Sequence, residues 1–121
     1  MRSITEHVVN PANDRLVVDV LDEPGLGGAS HVYRIAGVEG VGPTFINFQN
    51  GPISVDGNGV NGLTHEVLIA IVADRLRGFQ GGRYACAENA EALAHLESAQ
   101  AALQSRTKAR MARGVEGTHA L

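Results

Sequence analysis

Apolar residues in the first half of the chain occur in short runs that predict β-strands. The runs are rich in β-branched and aromatic residues, which favour strands, and turn-forming glycine and proline residues separate them. They cover Leu16–Asp22 (LVVDVLD), Ser30–Gly37 (SHVYRIAG) and Thr44–Gln49 (TFINFQ). Asn50 and Gly51 then predict a tight turn. Pro52 limits the following segment, GPISV at 51–55, to an edge or a partial strand.

After residue 63 the spacing of apolar residues becomes helical. Thr64 is the expected N-cap, and the helix dipole favours the negative charge of Glu66 in the first turn. An apolar stripe follows at helical spacing and comprises Val67, Leu68, Ile71, Val72 and Leu76. Gly78 and the Gly81-Gly82 pair are expected to end this helix. Before it, the glycines of DGNGVNG at 56–62 allow positive φ angles.

A second helix is predicted from about Ala85 to its C-cap at Gly114. Roughly 29 residues at 1.5 Å per residue give a length of about 43 Å. That length exceeds the diameter of a globule of 121 residues. Part of the helix is therefore expected to project, or to pack against another chain.

One face of the second helix changes from polar to apolar to cationic. Seven-residue steps join Asn89, Leu96, Leu103 and Arg110, with Leu93 and Arg106 predicted on the same side and Arg113 continuing the row. Asn89 and Arg106 are about 25 Å apart along a straight helix, so one small ligand cannot contact both. A shared pocket would need an antiparallel helix from a second chain, which describes a two-fold dimer with two equivalent pockets.

The cations at the end of this helix have two interpretations. They are either a solvated basic helix end, favoured by the helix dipole, or an anion clamp. Arginine suits the second role because its rigid fork of donors matches phosphate oxygens. Spacing alone leaves both interpretations open.

Phe79 and Cys86 also have two interpretations each. Phe79 is either a hydrophobic plug continuing the apolar stripe or a stacking platform for a purine beside the glycine-rich turn and Tyr84. Cys86, near the start of the second helix, is either a thiol of lowered pKa or a small core residue.

Composition narrows the class of protein. A chain of 121 residues with 44% hydrophobic residues suits a single domain over 1–121, β-rich over about 1–62, helical over about 63–114, with a tail at 115–121. The formal net charge of −3 disfavours duplex nucleic-acid binding. No apolar run approaches the length of a membrane span, and no signal peptide is expected. A single cysteine suits a reducing cytoplasm.

Catalytic and metal-binding patterns are not found in the sequence. The five histidines show no ligand spacing, and no nucleophile stands beside an identifiable base. We therefore expect no catalytic residue, no metal, no cofactor and no enzymatic activity.

Two segments resemble the first family of phage Thoeris anti-defence proteins. They are INFQNGPISVDGNGVNGLTHEVLIAIVADRLRGFQGGRYACAENAEAL and RTKARMARGVEGTH, within residues 44–119. The FQNGPI block and the RGVEGT segment are the most specific parts. The resemblance implies an α+β fold, with an N-terminal antiparallel sheet followed by two helices, the second long and dimer-forming.

The resemblance also implies a function. Members sequester glycocyclic ADP-ribose, the signal of bacterial TIR-domain enzymes, without cleaving it, in the cytoplasm of the infected host. Phe79 would stack on the base, Asn89 would line the pocket, and Arg106 and Arg110 would grip the phosphates. We add Arg113, and Glu116 and Thr118 of the RGVEGT segment, to the predicted ligand-binding residues.

The partners implied are the cyclic nucleotide and further copies of the chain, as a homodimer or a homohexamer. Some members bind cyclic trinucleotides at a separate site, which the sequence does not locate. Two alternatives remain open at this point: a hydrolase of the same nucleotide, and a non-catalytic phage assembly or regulatory protein.

Overall fold

The computed structural model describes residues 1–53, 57 and 59–118. The chain divides into two compact units, Met1–Asn50 and Gly51–Leu121. The elements of the first unit are β1 (Arg2–Ile4), α1 (Pro11–Asp14), β2 (Val17–Val20), β3 (Val32–Ala36) and β4 (Thr44–Asn47). Those of the second unit are α2 (His65–Gln80) and α3 (Ala87–Ala112). The predicted α+β class is confirmed, and the single-domain organisation stays a prediction.

The four strands form one antiparallel sheet in the order β1-β2-β3-β4. The three predicted strands are confirmed with shorter ends, whereas β1 and the single-turn α1 were missed. The predicted fourth strand is not confirmed, since residues 51–53 are outside any strand and 54–55 lie outside the described residues. Gly51 does adopt a positive φ of 86°, as a tight turn requires.

A polar row crosses one face of this sheet. Ser3, Asp19 and Arg34 are register partners on β1, β2 and β3. The Ser3 hydroxyl donates to Asp19 Oδ1 at 2.8 Å, and Arg34 Nη2 donates to Asp19 Oδ2 at 2.9 Å. These two hydrogen bonds lower the pKa of Asp19 despite the burial of its carboxylate, and the bond from Arg34 has the larger effect. These charges serve the fold of the first unit.

α2 begins and ends at residues whose backbone roles are clear. Thr64 is the N-cap, as predicted, and its hydroxyl accepts from Val67 N. The helix passes through Gly78, so the prediction that Gly78 stops it is wrong. It ends at Gln80, with Gly81 as its C-cap. One glycine costs a helix only about 1 kcal/mol, which packing against α3 offsets.

α2 and α3 pack together, and the packing covers only part of the apolar stripe that was predicted on α2, including Leu68 and Leu76. Ala73, only 3% exposed, lies on the covered face with the half-buried Ile69 and Leu76. Of the predicted stripe, Val67, Ile71 and Val72 are exposed, Ile71 by 60%. The second unit therefore presents apolar surface that its own helices leave uncovered.

α3 is 26 residues long, close to prediction, and its partly buried positions form a regular stripe. The stripe consists of Asn89, Leu93, Leu96, Gln100, Leu103, Thr107 and Arg110. Steps of four and three residues alternate, which is the period of 3.5 typical of packed helix pairs. Arg106, one turn before Arg110, is exposed, and Thr107 takes the partly buried position of the stripe between Leu103 and Arg110.

No helix within the described ranges combines the length and the apolar character that a membrane crossing requires.

Candidate functional site

The aromatic residues and cations that the sequence singled out lie at two places on the helical unit. We name Arg75, Phe79, Arg83 and Tyr84, near the turn between α2 and α3, the aromatic cluster. The residues from Arg106 to Thr118, at the far end of α3, are the basic end. About 25 Å of helix separates Asn89 from Arg106, so a single chain does not bring the predicted site together.

The aromatic cluster forms because helix and turn geometry place its side chains next to one another. Arg75 and Phe79 are one helical turn apart, and the Arg75 Cζ lies 5.1 Å from the centre of the Phe79 ring. Tyr84, after the two-glycine turn, meets Phe79 edge to face with 6.4 Å between ring centres. The Arg83 Cζ lies 5.2 Å from the centre of the Tyr84 ring, and its Nη2 donates to the Tyr84 hydroxyl.

The aromatic cluster is accessible to solvent. Phe79 is 36% exposed and Tyr84 is 64% exposed. Phe79 is therefore not a buried hydrophobic plug within a single chain. Asp and Glu side chains of the described residues make no ion pair with Arg75 or Arg83, whereas Arg77 on the same helix pairs with Glu97 at 3.2 Å. The cluster therefore combines exposed aromatic rings with positive charge, the surface chemistry that suits a nucleotide.

The start of α3 holds Asn89 beside this cluster in sequence. The Cys86 sulfur is the N-cap acceptor for Asn89 N at 3.4 Å, and Cys86 N donates to Gln80 Oε1 at 3.0 Å. Cys86 is exposed, which contradicts its interpretation as a core residue. Its role as the cap fixes the first turn of α3, on which Asn89 is half-buried.

At the basic end, the chain folds back on α3. Gly114, with φ of 72°, follows the C-cap Arg113, which is one residue before the predicted cap position. Val115 N then donates to Arg110 O, and Gly114 N donates to Met111 O. This pair of bonds is the Schellman motif, which requires a residue with positive φ at the position of Gly114. The turn brings residues 115–118 alongside the Arg110 side chain.

Arg110 is the centre of the basic end. It is only 5% exposed, and its Nε donates to Glu116 Oε2 at 3.1 Å. Its Nη2 donates to the carbonyl oxygens of Val115 at 2.9 Å and Thr118 at 3.0 Å. The structure thus joins three of the predicted residues, Arg110, Glu116 and Thr118, while Arg106 and Arg113 are exposed.

A separate groove lies between the helices. It has a volume of about 310 Å³ and is lined by apolar and polar side chains, among them Ile69, Leu96, Gln100 and the ion pair of Arg77 with Glu97. Gln100 Nε2 donates to Glu66 O, while its buried Oε1 has no hydrogen-bond partner in the part of the chain that the structure describes. None of the predicted ligand-binding residues lines this groove.

Arg75 and Arg83 were missed as candidates from the sequence. The signal was present, since Arg75 is four residues before Phe79 and Arg83 is adjacent to Tyr84. Within the described ranges, no three His, Cys, Asp or Glu side chains gather as metal ligands would.

A β-sheet unit followed by an α-helical hairpin with a cationic end defines the class of this protein, and comparisons with known proteins give its family. Residues 43–108, more than half of the chain, match the Acb2/Tad1 hairpin domain. The chain belongs to the Acb2/Tad1 family. It is 44% identical over 112 residues to a protein of Bacillus phage SBSphiJ7 described as Thoeris anti-defense 1, covering 93% of this chain and 76% of that protein.

Proposed function

We propose that this protein is a phage anti-defence protein that binds and sequesters glycocyclic ADP-ribose, the signal made by TIR-domain immune enzymes, without cleaving it. The observation that carries the proposal is the pairing of an exposed, cationic aromatic cluster with a cationic basic end on one helical hairpin. The similarity to an anti-defence protein supports the biological role. The protein would act in the cytoplasm of the infected bacterium.

The proposed site divides the nucleotide between two chains. Phe79 stacks on the base and Asn89 contacts the ligand beside it. The basic end of a second chain, with Arg106, Arg110, Arg113, Glu116 and Thr118, surrounds the phosphates and riboses. An antiparallel dimer is needed because about 25 Å separates the two groups on one helix. The exposed Val67, Ile71 and Val72 on α2 favour such an assembly. A homohexamer and a second site for cyclic trinucleotides belong to the same proposal, without assigned residues.

Recovery of the ligand tests sequestration directly. The protein is incubated with the product of a TIR-domain enzyme, separated from unbound small molecules, and heat-denatured. Chromatography and mass spectrometry of the released material should return the intact cyclic nucleotide. A linear product would show a hydrolase, and no released nucleotide would favour an assembly or regulatory protein.

Light scattering on a sizing column tests the two-chain site. At micromolar concentration the protein should be a dimer or larger. A monomer that still binds the nucleotide would contradict the division of the site between two chains.

A further inference from the structure

Arg75 occupies the position that a stacked base would need. Its guanidinium is planar and lies 5.1 Å from the centre of the Phe79 ring. Arg75 is exposed, and the chain provides it no acidic partner among the described residues. A flat cationic group therefore already rests on the ring that the proposed function assigns to the base.

The relative strengths of base stacking and of the cation–π contact decide which group occupies the face of the Phe79 ring. A stacked base strengthens binding by about fivefold to 150-fold, whereas an exposed cation–π contact contributes about twofold to fivefold. The base is therefore expected to displace the guanidinium. Among the described residues this contact alone holds the Arg75 side chain, so the long side chain can swing aside while its backbone stays in α2.

The displaced guanidinium is then close to an anion. A base stacked on Phe79 brings its own phosphates near the end of α2, and arginine forms charge-assisted bonds with phosphate oxygens. We propose that Arg75 is a further ligand-binding residue, an inference that rests on the proposed function. Arg75 leaves the face of Phe79 when a base stacks there and pairs with a phosphate of the same nucleotide.

Tyr84 contributes to the same position as a wall. Its ring stands nearly perpendicular to Phe79, at 81°, with 6.4 Å between the ring centres. That arrangement bounds the stacking surface on one side. Its hydroxyl accepts from Arg83 Nη2 at 3.2 Å, which holds the ring in place and brings a second cation to the cluster.

The test compares Arg75→Gln with Arg77→Gln by calorimetric titration of a cyclic ADP-ribose isomer at low and at moderate salt. Both substitutions remove one positive charge from α2, but Arg77 pairs with Glu97 and lies outside the aromatic cluster. Arg75→Gln should weaken binding by roughly fivefold to 50-fold and make the dissociation constant less dependent on salt. Arg75→Lys should restore the salt dependence and only part of the affinity. Arg77→Gln should match the parent protein.

The ring of Tyr84 is tested with two variants. Tyr84→Leu should weaken binding severalfold, while Tyr84→Phe, which keeps the ring but loses the bond from Arg83, should weaken it less. Melting curves verify that every variant is folded.

Each other outcome has a defined meaning. If Arg75→Gln keeps the affinity and salt dependence of the parent protein, or if Arg77→Gln weakens binding equally, the role given to Arg75 is wrong. If Tyr84→Leu binds like the parent protein, Tyr84 is not a wall of the site. If the parent protein itself binds no isomer, the proposed function fails, and this inference with it.

Discussion

The sheet unit and the helical unit use their charged side chains in different ways. In the sheet unit, Asp19 is bonded to Ser3 and Arg34, and Asp22 Oδ1 accepts from Val32 N at 2.9 Å. In the helical unit, Arg75 and Arg106 are exposed and have no acidic partner among the described residues. Charges held by neighbouring groups stabilise a fold, whereas charges left exposed beside aromatic rings remain available to a ligand. Arg110 is held by neighbouring groups like the charges of the sheet unit, but it lies at the basic end, where a ligand is proposed to bind.

The largest expected effect is the loss of nucleotide binding when Arg110 or Arg106 is replaced, and the two residues should differ in their effect on stability. Arg110→Ala and Arg106→Ala should each weaken nucleotide binding by roughly tenfold to several thousandfold, since a charge-assisted bond contributes about 1.5–3 kcal/mol and losing one partner of a buried charge pair costs about 2–5 kcal/mol. Only Arg110→Ala should also lower the free energy of unfolding, by about 1–3 kcal/mol, because it removes the bonds from Arg110 to Glu116 and to the carbonyl groups of Val115 and Thr118. Calorimetric titration and melting curves measure the two quantities.

Two results would contradict this division of roles. Parent-like binding by both variants would show that the basic end is a solvated helix terminus. Parent-like melting of Arg110→Ala would show that the contacts with residues 115–118 add no stability. Arg110→Lys serves as the conservative control and should recover binding only in part.

The next effect compares two exposed phenylalanines, one in each unit. Phe79→Ala should weaken nucleotide binding by about fivefold to 150-fold through the loss of stacking, and Phe79→Trp should retain part of the affinity. Phe45→Ala, at a residue 52% exposed on the sheet, is the matched control and should leave binding unchanged. Equal losses in both, or unfolding of Phe79→Ala without a specific binding defect, would return Phe79 to a structural role.

Acid should affect the sheet unit through two carboxylates. Hydrogen bonding, mainly from Arg34 to Asp19 and from Val32 N to Asp22, lowers the pKa of both groups below 3.8. A carboxylate whose pKa is lowered by folding stabilises the folded state at pH values above its unfolded pKa. That stabilisation is lost as the pH falls through the folded pKa. The sheet unit should therefore lose stability below about pH 4.

Tyrosine fluorescence can follow this acid transition in the sheet unit alone. The chain has two tyrosines and no tryptophan, so Tyr84→Phe leaves Tyr33 on β3 as the reporter. Asp19→Asn in that background should lower the melting temperature at neutral pH and flatten its dependence on pH. An unchanged acid profile would mean that Asp19 does not control the transition.

The smallest effects come from two glycines of the helical unit. Gly114→Ala should destabilise the protein by about 1–2 kcal/mol, because Gly114 has φ of 72° and an L-residue is strained there. Gly78→Ala should stabilise it by up to about 1 kcal/mol, since Gly78 lies within α2 and a Cβ there would meet no atom of the described residues within 4 Å beyond its own stretch of helix. Chemical denaturation of both variants measures the difference, and shifts of the same sign would contradict the assignment.

The sequence predicted the elements better than the faces they use. The three valine- and aromatic-rich strands and both long helices were predicted, whereas β1 is only three residues long and depends on pairing with β2. On α2 two apolar stripes overlap, and only the position of α3 decides that Ile69, Ala73 and Leu76 are covered. Periodicity cannot make that choice before the partner helix is placed.

The sequence predicted which residues form the candidate site better than it predicted how their side chains are arranged. Phe79 is exposed and Arg110 lies beside Glu116 and Thr118, but the bonds of Arg110 depend on the chain reversal at Gly114. Arg106 was expected beside the leucines of α3 but is exposed, because three- and four-residue steps from Leu103 are both compatible with one face. The packed stripe passes through Thr107 instead.

The burial of Arg110 has a consequence for conformational entropy. A long side chain loses up to about 1.5–2 kcal/mol of rotamer freedom when it becomes fixed. At Arg110 this loss occurs during folding, because Glu116 and the carbonyl groups of Val115 and Thr118 hold the guanidinium. A phosphate that reaches the basic end would meet Arg110 already ordered, whereas Arg106 would lose its freedom only on binding. Two arginines one helical turn apart would thus contribute to the same complex with different entropies.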